Sequence, residues 1–414
     1  MSILPPASRR IAIGFILVTA MLDILAMGII IPVLPRLIED FIGSNAQAGV
    51  INGVFIALWA GMQFIASPVI GSLSDQYGRR PVLLISCAGL AADYVLMALA
   101  PDLWWLAVGR MIAGVTSSSF TTVFAYMADI TEPRHRARAY GLIGAAFSGG
   151  FVLGPVLGGF LGEFGPRVPF WTAGALSGVA FLYGLFVLPE SLKPENRMAF
   201  SWKRANPVGA MKLLLRHREL TGLSVVNFLL YFAHHVFSAV FVLYAAMRYG
   251  WGPWQVGLLL AGVGILDMLV QGVLTGPVVK RIGDRRTLIV GLVGGTAGLA
   301  LMGWAPSGLI FIAAMLPNAL WGLSMPTLQS LMTRRVGEDE QGQLQGANNS
   351  VSSIAGVVSP LFFGWIYSLS AGSQAPLPVP GLSFYFGAFV LLAAAVTGWL
   401  VVRSEDRGGE TPAP

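Results

Sequence analysis

Four charged residues lie inside long apolar stretches of the sequence, where a charge is costly. They are Asp23, Asp93, Arg110 and Asp267. A carboxylate at the centre of a bilayer costs about 2.5–3.5 kcal/mol on insertion scales, so such residues are functional candidates. Burial favours the protonated acid, whereas a nearby cation favours the carboxylate. The pattern therefore predicts groups that take up and release protons within a membrane.

The composition supports a membrane environment for these residues. The chain has 414 residues, of which 55% are hydrophobic and 11% are charged, and its mean hydropathy is +0.71. Soluble chains carry roughly a quarter charged residues. These values argue against a cytosolic enzyme, a disordered chain and a disulfide-stapled secreted domain. The single cysteine, Cys87, excludes an intrachain disulfide and a cysteine-rich metal site.

The apolar stretches predict an all-α membrane protein with twelve transmembrane helices. A crossing needs about 20 mostly apolar residues, and each predicted span contains at most one Asp, Glu, Lys or Arg residue. The predicted spans 1 to 12 are 11–33, 49–72, 81–100, 104–126, 139–161, 168–188, 220–245, 254–277, 286–305, 308–331, 343–367 and 382–402.

The basic residues predict the orientation of the spans. If both termini are cytoplasmic, 22 of the 26 Lys and Arg residues fall in inner segments, as the positive-inside rule requires. The net charge of +6 then faces the anionic inner leaflet, and nucleic acid is not a predicted partner. We expect a multi-pass protein of a cytoplasmic (inner) membrane, of bacterial type.

An internal repeat divides the chain. A shift of 205 residues carries Gly78 onto Gly283 and Pro155 onto Pro360. A duplicated six-helix unit is typical of transporters in which two halves rock about a central site. We predict an N-terminal bundle, a cytoplasmic linker, a C-terminal bundle and a cytoplasmic tail, at 1–189, 190–219, 220–402 and 403–414. The linker is either a tether or includes a short basic amphipathic helix near Ser201-Trp202-Lys203-Arg204.

The loop between spans 2 and 3 is a candidate gate. Gly71 would let a neighbouring helix approach closely, and Gly78 can adopt positive φ in the turn. Asp75 can accept hydrogen bonds from a helix N-terminus and pair with a nearby arginine, which would lock one arrangement of the halves. Alternatively, Arg79 and Arg80 only determine the topology.

Span 5 carries a glycine motif. Gly150, Gly154, Gly158 and Gly159 permit close helix packing, and Pro155 removes a backbone hydrogen bond. The motif would seal an interface against leakage. Ordinary transmembrane packing is the alternative.

These two motifs resemble those of a known family. The loop Gly71-x3-Asp75-x2-Gly78-Arg79-Arg80 is similar to the signature loop of the major facilitator superfamily, and the motif from Gly150 to Gly159 resembles its antiporter motif. Other stretches resemble the twelve-span tetracycline/proton antiporters. They are Leu22-Asp23, Pro32-Val33-Leu34-Pro35, Met62-Gln63, Asp93-Tyr94, Gly109-Arg110, Pro326-x2-Gln329 and Gln341-Gly342-x-Leu344-Gln345-Gly346.

The resemblance implies drug efflux, with antibiotic resistance as its consequence, but the sequence departs from those antiporters at two positions. They carry a histidine in helix 8 where this chain has Asp267, and an acidic residue in helix 9 where it has Gly295. The acidic residue of the second half therefore lies in helix 8 in this chain and in helix 9 in those antiporters. A proton carrier remains, whereas the substrate pocket differs.

The membrane-embedded charges have distinct predicted roles. Asp93 and Arg110 lie at similar depth in adjacent antiparallel spans, so we predict that they interact. The pair either breaks on substrate binding or protonation, or is permanent and structural. Asp23 and Asp267 lie near the midplane, where a proton and a cationic substrate would compete for one carboxylate. Either could instead be a packing residue.

Neutral polar residues complete the candidate site. Five of them could bind substrate or merely join helices: Gln63, Gln271, Asn227, Asn318 and Gln329. His234 and His235 project about 100° apart on a helix and are a poor metal pair. Nucleotide, metalloprotease, redox and hydrolase motifs are missing from the sequence, so we expect no cofactor and no enzyme activity.

The function that fits these features is proton-coupled export of an amphiphilic small molecule, with tetracycline as one possible substrate. Symport or uniport of a metabolite on the same fold is the alternative. A membrane enzyme or a receptor would need a reactive constellation or a large extramembrane domain. We expect the substrate, protons and lipid as partners, and a functional monomer because one chain contains the site.

Overall fold

The computed structural model describes residues 6–117, 120–132, 135–200, 214, 218–337, 340–372 and 375–408. By its contacts the chain forms two compact units. Unit 1 comprises Met1–Ser44, Phe55–Asn206 and Trp251–Gly264, and unit 2 comprises Asn45–Val54, Pro207–Gly250 and Ile265–Pro414. Each unit therefore contains one short segment that belongs by sequence to the other half.

The described residues up to 200 form eight α-helices and one 3₁₀ turn, at Pro194–Asn196. The helices are α1 (Pro6–Ile30), α2 (Leu34–Ile42), α3 (Asn45–Tyr77), α4 (Arg79–Leu99), α5 (Leu103–Thr116), α6 (Phe120–Ile130), α7 (Arg136–Gly162) and α8 (Val168–Val187). The amphipathic helix considered near 201–204 lies outside the described residues.

The described residues from 218 onwards are also helical. The α-helices are α9 (Arg218–Val236), α10 (Val242–Tyr249), α11 (Pro253–Leu269), α12 (Thr275–Trp304), α13 (Gly308–Ala319), α14 (Ser324–Thr333), α15 (Gln341–Ser370) and α16 (Leu382–Gly408). Two π-helical turns, Phe237–Phe241 and Val270–Leu274, and a 3₁₀ turn, Leu320–Leu323, join successive helices. The last helix continues past 402, the predicted end of span 12.

Local sequence explains where several of these helices begin. The Asp102 carboxylate accepts hydrogen bonds from the backbone N–H groups of Trp104 and Trp105, at 2.9 and 3.3 Å, and so caps α5. Pro35 and Pro169 lie in the first turns of α2 and α8, where a helix needs no N–H donor.

Ten helical stretches in the described part of the chain are long and apolar enough to cross a membrane. One of them, Pro253–Trp304, has 52 residues and would be about 78 Å long if straight, more than twice a bilayer core. It is divided at Gly283, whose φ of 78° and ψ of 161° are not helical. Helices α5 and α6, on either side of residues 118–119, are not among the ten.

The structure shows the internal repeat in its backbone. Gly78, between α3 and α4, has φ of 106° and ψ of 163°. Gly283, 205 residues later, adopts nearly the same angles. Both turns need a residue that tolerates positive φ, which explains glycine at the two equivalent positions.

The repeat also conserves an ion pair while exchanging its charges. In unit 1, Nε of Arg79 lies 3.3 Å from Oδ2 of Asp129. In unit 2, Nη2 of Arg334 lies 2.7 Å from Oδ2 of Asp284. The positions related by the shift of 205 are Asp75 and Lys280, Arg79 and Asp284, and Asp129 and Arg334. All three positions have the opposite charge in the second half.

Candidate functional site

A small cavity in unit 1 surrounds the carboxylate of Asp23. Helix α1 supplies Asp23, α3 supplies Trp59, α4 supplies Tyr94 and α5 supplies Arg110, and Ser117 directly follows α5. The cavity has room for roughly one water molecule. Asp23 is 5% exposed, and its Oδ1 atom has no hydrogen-bond partner among the described residues. The carboxyl group therefore faces a narrow space that a proton or a water molecule can enter.

Arg110 links this cavity to a second carboxylate. Its Nη2 atom lies 3.4 Å from Oδ2 of Asp93 and 2.9 Å from the sulfur of Met97. The Asp93 side chain is fully buried, and the Arg110 side chain is 12% exposed. The predicted contact between these residues is thus present. Its distance is long for a charge-assisted hydrogen bond.

This arrangement leaves polar atoms without partners. Oδ1 of Asp93 and Nε of Arg110, like Oδ1 of Asp23, are buried and make no hydrogen bond in the described part of the chain. A buried polar group without a partner is costly. Asp93 pairs with the Arg110 guanidinium, and Asp23 lines the same cavity as Arg110. The energy of this site therefore depends on a proton, a water molecule or another ligand.

Packing at Gly109 sets the position of the pair. A Cβ atom at this position would lie 2.7 Å from Oδ1 of Asp93 and 2.6 Å from Cγ of Met97. Glycine allows α5 to approach α4 closely enough for the adjacent Arg110 to reach Asp93. Sequence analysis included Gly109 only as part of a resemblance.

An ion pair and hydrogen bonds within unit 1 hold the candidate gate, the loop from Gly71 to Arg80. Nη1 of Arg79 lies 2.6 Å from Oδ1 of Asp75, one helical turn away. The N-terminus of α4 is capped by a different acid, since Glu190 accepts hydrogen bonds from the backbone N–H groups of Arg79 at 2.9 Å and Arg80 at 3.2 Å. Asp75 thus makes the expected arginine pair, and Glu190 performs the capping expected of Asp75.

The glycines of the gate differ in their surroundings. Gly78 has the predicted positive φ, and a side chain there would collide with the Glu190 carboxylate. No described atom lies within 4 Å of a Cβ built on Gly71. The expected close approach of a neighbouring helix at Gly71 is therefore not found.

The glycine motif of α7 packs against α1. A Cβ atom at Gly150 would lie 2.7 Å from the Met21 carbonyl oxygen, and one at Gly154 would lie 2.7 Å from Cα of Gly28. Gly158 meets the backbone of Ile29. Spacing of four residues keeps these glycines on one helix face, as in other close transmembrane packings.

The same helix also packs against the α11 segment that belongs to unit 1. A Cβ atom at Gly159 would lie 2.5 Å from the Pro253 carbonyl oxygen, and Gly257 meets the carbonyl of Pro155. Glu163 accepts a hydrogen bond from the backbone N–H of Trp254 at 3.2 Å. The motif thus holds two neighbouring helices at once.

Unit 2 repeats this arrangement with the first ten residues of α3. A Cβ atom at Gly364 of α15 would lie 2.5 Å from the Gly49 carbonyl oxygen. The amide of Asn52 donates to the carbonyls of Ser238 and Ala239, at 3.2 and 2.8 Å, in a π-helical turn. Gly364 is the residue that the repeat predicts as the equivalent of Gly159.

Asp267 is the acidic residue of the second half. It lies in α11 and is partly exposed, three residues before the π-helical turn Val270–Leu274. Its Oδ1 atom is 3.6 Å from a Cβ built on Gly322, in the 3₁₀ turn that follows α13. The structure thus places Asp267 beside the 3₁₀ turn between α13 and α14.

The five neutral candidates for substrate binding are divided between the two units. Gln63 belongs to unit 1, whereas Asn227, Gln271, Asn318 and Gln329 belong to unit 2. Gln271 is exposed, and Asn227 and Asn318 are buried.

Gln329 joins two helices in this structure. Its Oε1 atom accepts a hydrogen bond from Nδ2 of Asn348 in α15, at 3.2 Å. Sequence analysis missed Asn348, as it missed Trp59 and Glu190. Only the polarity of Asn348 within an apolar span marks it in the sequence.

No group of three histidine, cysteine, aspartate or glutamate side chains is arranged to hold a metal ion within the described residues.

Comparison with known proteins identifies the family. The family model for the Major Facilitator Superfamily matches residues 16–360 and 223–414. The chain is 38% identical over 381 residues to the class C tetracycline resistance protein of Escherichia coli, covering 92% of this chain and 94% of that protein. It is 31% identical over 392 residues to the class H tetracycline resistance protein of Pasteurella multocida, covering 95% and 96%.

The fold agrees with this assignment. A crystal structure of a bacterial homologue of the human lysosomal transporter Spinster, in an inward-facing and unoccupied conformation, matches with a TM-score of 0.80. It is 16% identical and covers 99% of this chain and 100% of that one. The chain is an all-helical, multi-pass membrane protein, and it belongs to the major facilitator superfamily.

Proposed function

We propose that this protein is a proton-coupled antiporter that exports an amphiphilic, cationic or zwitterionic small molecule by alternating access. The relatives named tetracycline resistance proteins support efflux over symport or uniport, and tetracycline is the first substrate to test. The proposed location is the cytoplasmic (inner) membrane of a bacterium, with one chain as the functional unit.

The observation that carries this proposal is the group formed by Asp23, Asp93 and Arg110. Each side chain has a buried polar atom without a partner in the described residues. Because Arg110 pairs with Asp93 while Oδ1 of Asp23 has no partner in the described residues, we expect Asp23 to hold a proton when no substrate is present. A cationic substrate could replace that proton, which would couple export to proton entry.

The substrate cannot occupy the small cavity around Asp23 as it stands. Drug-sized ligands usually occupy pockets of about 300–1,000 Å³, whereas this cavity has room for roughly one water molecule. We infer that Asp23 meets a proton or a single cationic group, and that the rest of the substrate lies elsewhere.

Packing at Gly295 supports a pocket unlike that of the tetracycline antiporters. A Cβ atom at this position would lie 2.9 Å from Cδ1 of Leu391 and 3.0 Å from Cβ of Trp321. An acidic side chain there would require Leu391 and Trp321 to shift. We infer that Asp267, which has space beside Gly322, supplies the acid of the second half and takes part in proton coupling.

The proposed topology has twelve spans in two pseudo-symmetric six-helix halves, with both termini cytoplasmic. The break at Gly283 supports two spans in the 52-residue stretch, and α5 with α6 would supply another. The basic loops support the orientation. We retain 1–189 and 220–402 as the bundles, with 190–219 as linker and 403–414 as tail.

The remaining candidates keep their proposed roles. The loop from Gly71 to Arg80 would act as a gate, and the motif from Gly150 to Gly159 would limit leakage. Gln63, Gln271, Asn227, Asn318 and Gln329 are the proposed neutral substrate contacts. The hydrogen bond between Gln329 and Asn348 supports a helix-joining role for Gln329 as well.

Inverted membrane vesicles test the proposed function. Tetracycline added to energised vesicles containing the wild-type protein should release protons and accumulate inside. Asp23→Asn should abolish the proton movement while the protein is still made and folded. Absence of substrate-induced proton movement in the wild type would rule out antiport of this compound.

Asp102→Asn is the matched control for this substitution. Asp102 caps α5 through its side-chain oxygen, and asparagine caps a helix equally well. Full coupling in this variant, together with loss in Asp23→Asn, would assign the effect to the membrane-embedded carboxyl group.

A further inference from the structure

His234 in α9 has an exposed side chain, although the surrounding stretch is apolar. Asn227 and Tyr231 share its helix face, because they are separated from it by seven and three residues within the regular α-helix. Tyr231 makes a side-chain hydrogen bond with Ser352 of α15. A polar face packed on another helix is not a lipid-facing surface, so we place His234 on a protein-packed polar face of α9 with its ring accessible.

The imidazole ring of His234 is held by Trp321. The two ring centroids are 5.7 Å apart with an interplanar angle of 89°, an edge-to-face arrangement. Trp321 is only 8% exposed, and its Nε1 atom is buried without a partner in the described part of the chain. A rigid tryptophan therefore orients the imidazole.

The adjacent His235 provides a contrast. Its Nδ1 atom lies 2.7 Å from the carbonyl oxygen of Tyr231, so one ring nitrogen is engaged with its own helix. His234, in contrast, makes ring contacts with Trp321 and His235. The two histidines, which the sequence presents as a pair, thus have different surroundings.

Asp267 lies at the same level of unit 2. It is beside Gly322, and His234 is beside Trp321, so adjacent residues of one 3₁₀ turn contact the two groups. His234 and Asp267 also each lie three residues before a π-helical turn, at Phe237–Phe241 and Val270–Leu274. Such turns occur frequently at functional sites.

We propose that His234 binds the exported compound by stacking on an aromatic ring, while Asp267 attracts the cationic group attached to that ring. The inference rests on the proposed function and narrows its substrate class to aromatic cations and zwitterions. His234 is then a specificity-determining residue, with its ring orientation fixed by Trp321. Aromatic stacking tolerates many ring systems, and the carboxylate supplies the preference for positive charge.

Direct binding tests this assignment. Ethidium, an aromatic cation, would be titrated against the full-length protein in detergent and followed by fluorescence anisotropy. Tetrapropylammonium, a cation without a ring, would be measured by isothermal titration calorimetry. His234→Ala should raise the Kd for ethidium about tenfold or more and leave that for tetrapropylammonium within twofold. His234→Phe should stay within threefold of the wild type, because phenylalanine also stacks.

His235→Ala is the matched control and should change the ethidium Kd by less than twofold. An unchanged Kd in His234→Ala would overturn the proposal, as would a His234→Phe variant as weak as His234→Ala. Failure of the wild-type protein to bind ethidium would overturn the assignment of aromatic cations. Size-exclusion profiles identify any variant that has not folded. If His234→Ala does not fold, the ethidium Kd of His234→Phe relative to the wild type decides whether the proposal holds.

The vesicle assay separates this inference from the proposed antiport. If His234→Ala weakens ethidium binding but wild-type vesicles show no drug-induced proton movement, the binding assignment stands and antiport fails. If proton movement is present and ethidium binding does not depend on His234, antiport stands and the binding assignment fails.

Discussion

Removing the guanidinium of Arg110 would leave the Asp93 carboxylate buried without a cation. The pair is 3.4 Å apart, and the Asp93 side chain is fully buried. At an effective dielectric constant of about 20, unit charges at this distance attract by about 5 kcal/mol. Since deleting one partner of a buried pair costs about 3–5 kcal/mol, we expect Arg110→Gln to lower the free energy of unfolding by about that amount.

Removing both charges should be less harmful than removing one. In the double variant Asp93→Asn with Arg110→Gln, no unpaired charge remains in the helix interface, and two amides can hydrogen-bond. We expect the double variant to recover all but about 1–2 kcal/mol. The double-mutant cycle should then give a coupling energy of at least about 2 kcal/mol.

Unfolding in mixed detergent micelles, followed by tryptophan fluorescence, would measure these free energies. Arg167→Gln is a suitable control, because Arg167 donates to the backbone carbonyls of Ala98 and Ala100, at 3.3 and 2.9 Å. It should cost about 1 kcal/mol per lost hydrogen bond at most. Strictly additive effects of the Asp93 and Arg110 substitutions would refute the assigned ion pair.

Two further predictions follow from the packing and the charges. Gly295→Asp should destabilise the protein by about 1–3 kcal/mol, because its Cβ atom would lie 3.0 Å from Cβ of Trp321; an unchanged melting temperature would contradict this. Arg79→Asp should impair transport by placing like charges together, and the triple change Asp75→Lys, Arg79→Asp and Asp129→Arg should restore part of it, since unit 2 uses the same charge order. Uptake assays at matched expression would measure transport by Arg79→Asp and by the triple variant. A triple variant as inactive as Arg79→Asp would contradict the prediction of restored transport.

The contact between Asp93 and Arg110 could be predicted from sequence because it depends on few facts. A short connection joins two antiparallel helices, and each residue lies a similar distance from it. Helix length and rise then fix their depth. The positive φ of Gly78 was likewise predictable, since glycine readily adopts positive φ in a tight turn between two helices.

Other contacts depend on chain segments that are far apart in sequence. Glu190 caps α4 from more than 100 residues away, and an acidic residue after span 6 has no pattern that predicts its partner. The packing of Trp321 against Gly295 depends on the register of two helices. Hydrophobic periodicity does not fix that register.

The π-helical turns near His234 and Asp267 could not be predicted from the sequence pattern either. Neither Phe237–Phe241 nor Val270–Leu274 contains proline, so no residue type marks the change of helix geometry. A single extra residue in a helical turn rotates everything that follows by about 100°. Faces assigned from a regular helix are therefore wrong beyond such turns.

The inverted charges at the two equivalent loops have a consequence for folding. In a duplicated chain, a loop could dock on the wrong half before assembly is complete. Arg79 would then meet Arg334 in place of Asp129, and Asp284 would meet Asp129 in place of Arg334. Like charges repel in both mismatched pairings, whereas both native pairings attract. The opposite charges of the two loops therefore disfavour docking of either loop on the wrong half during folding.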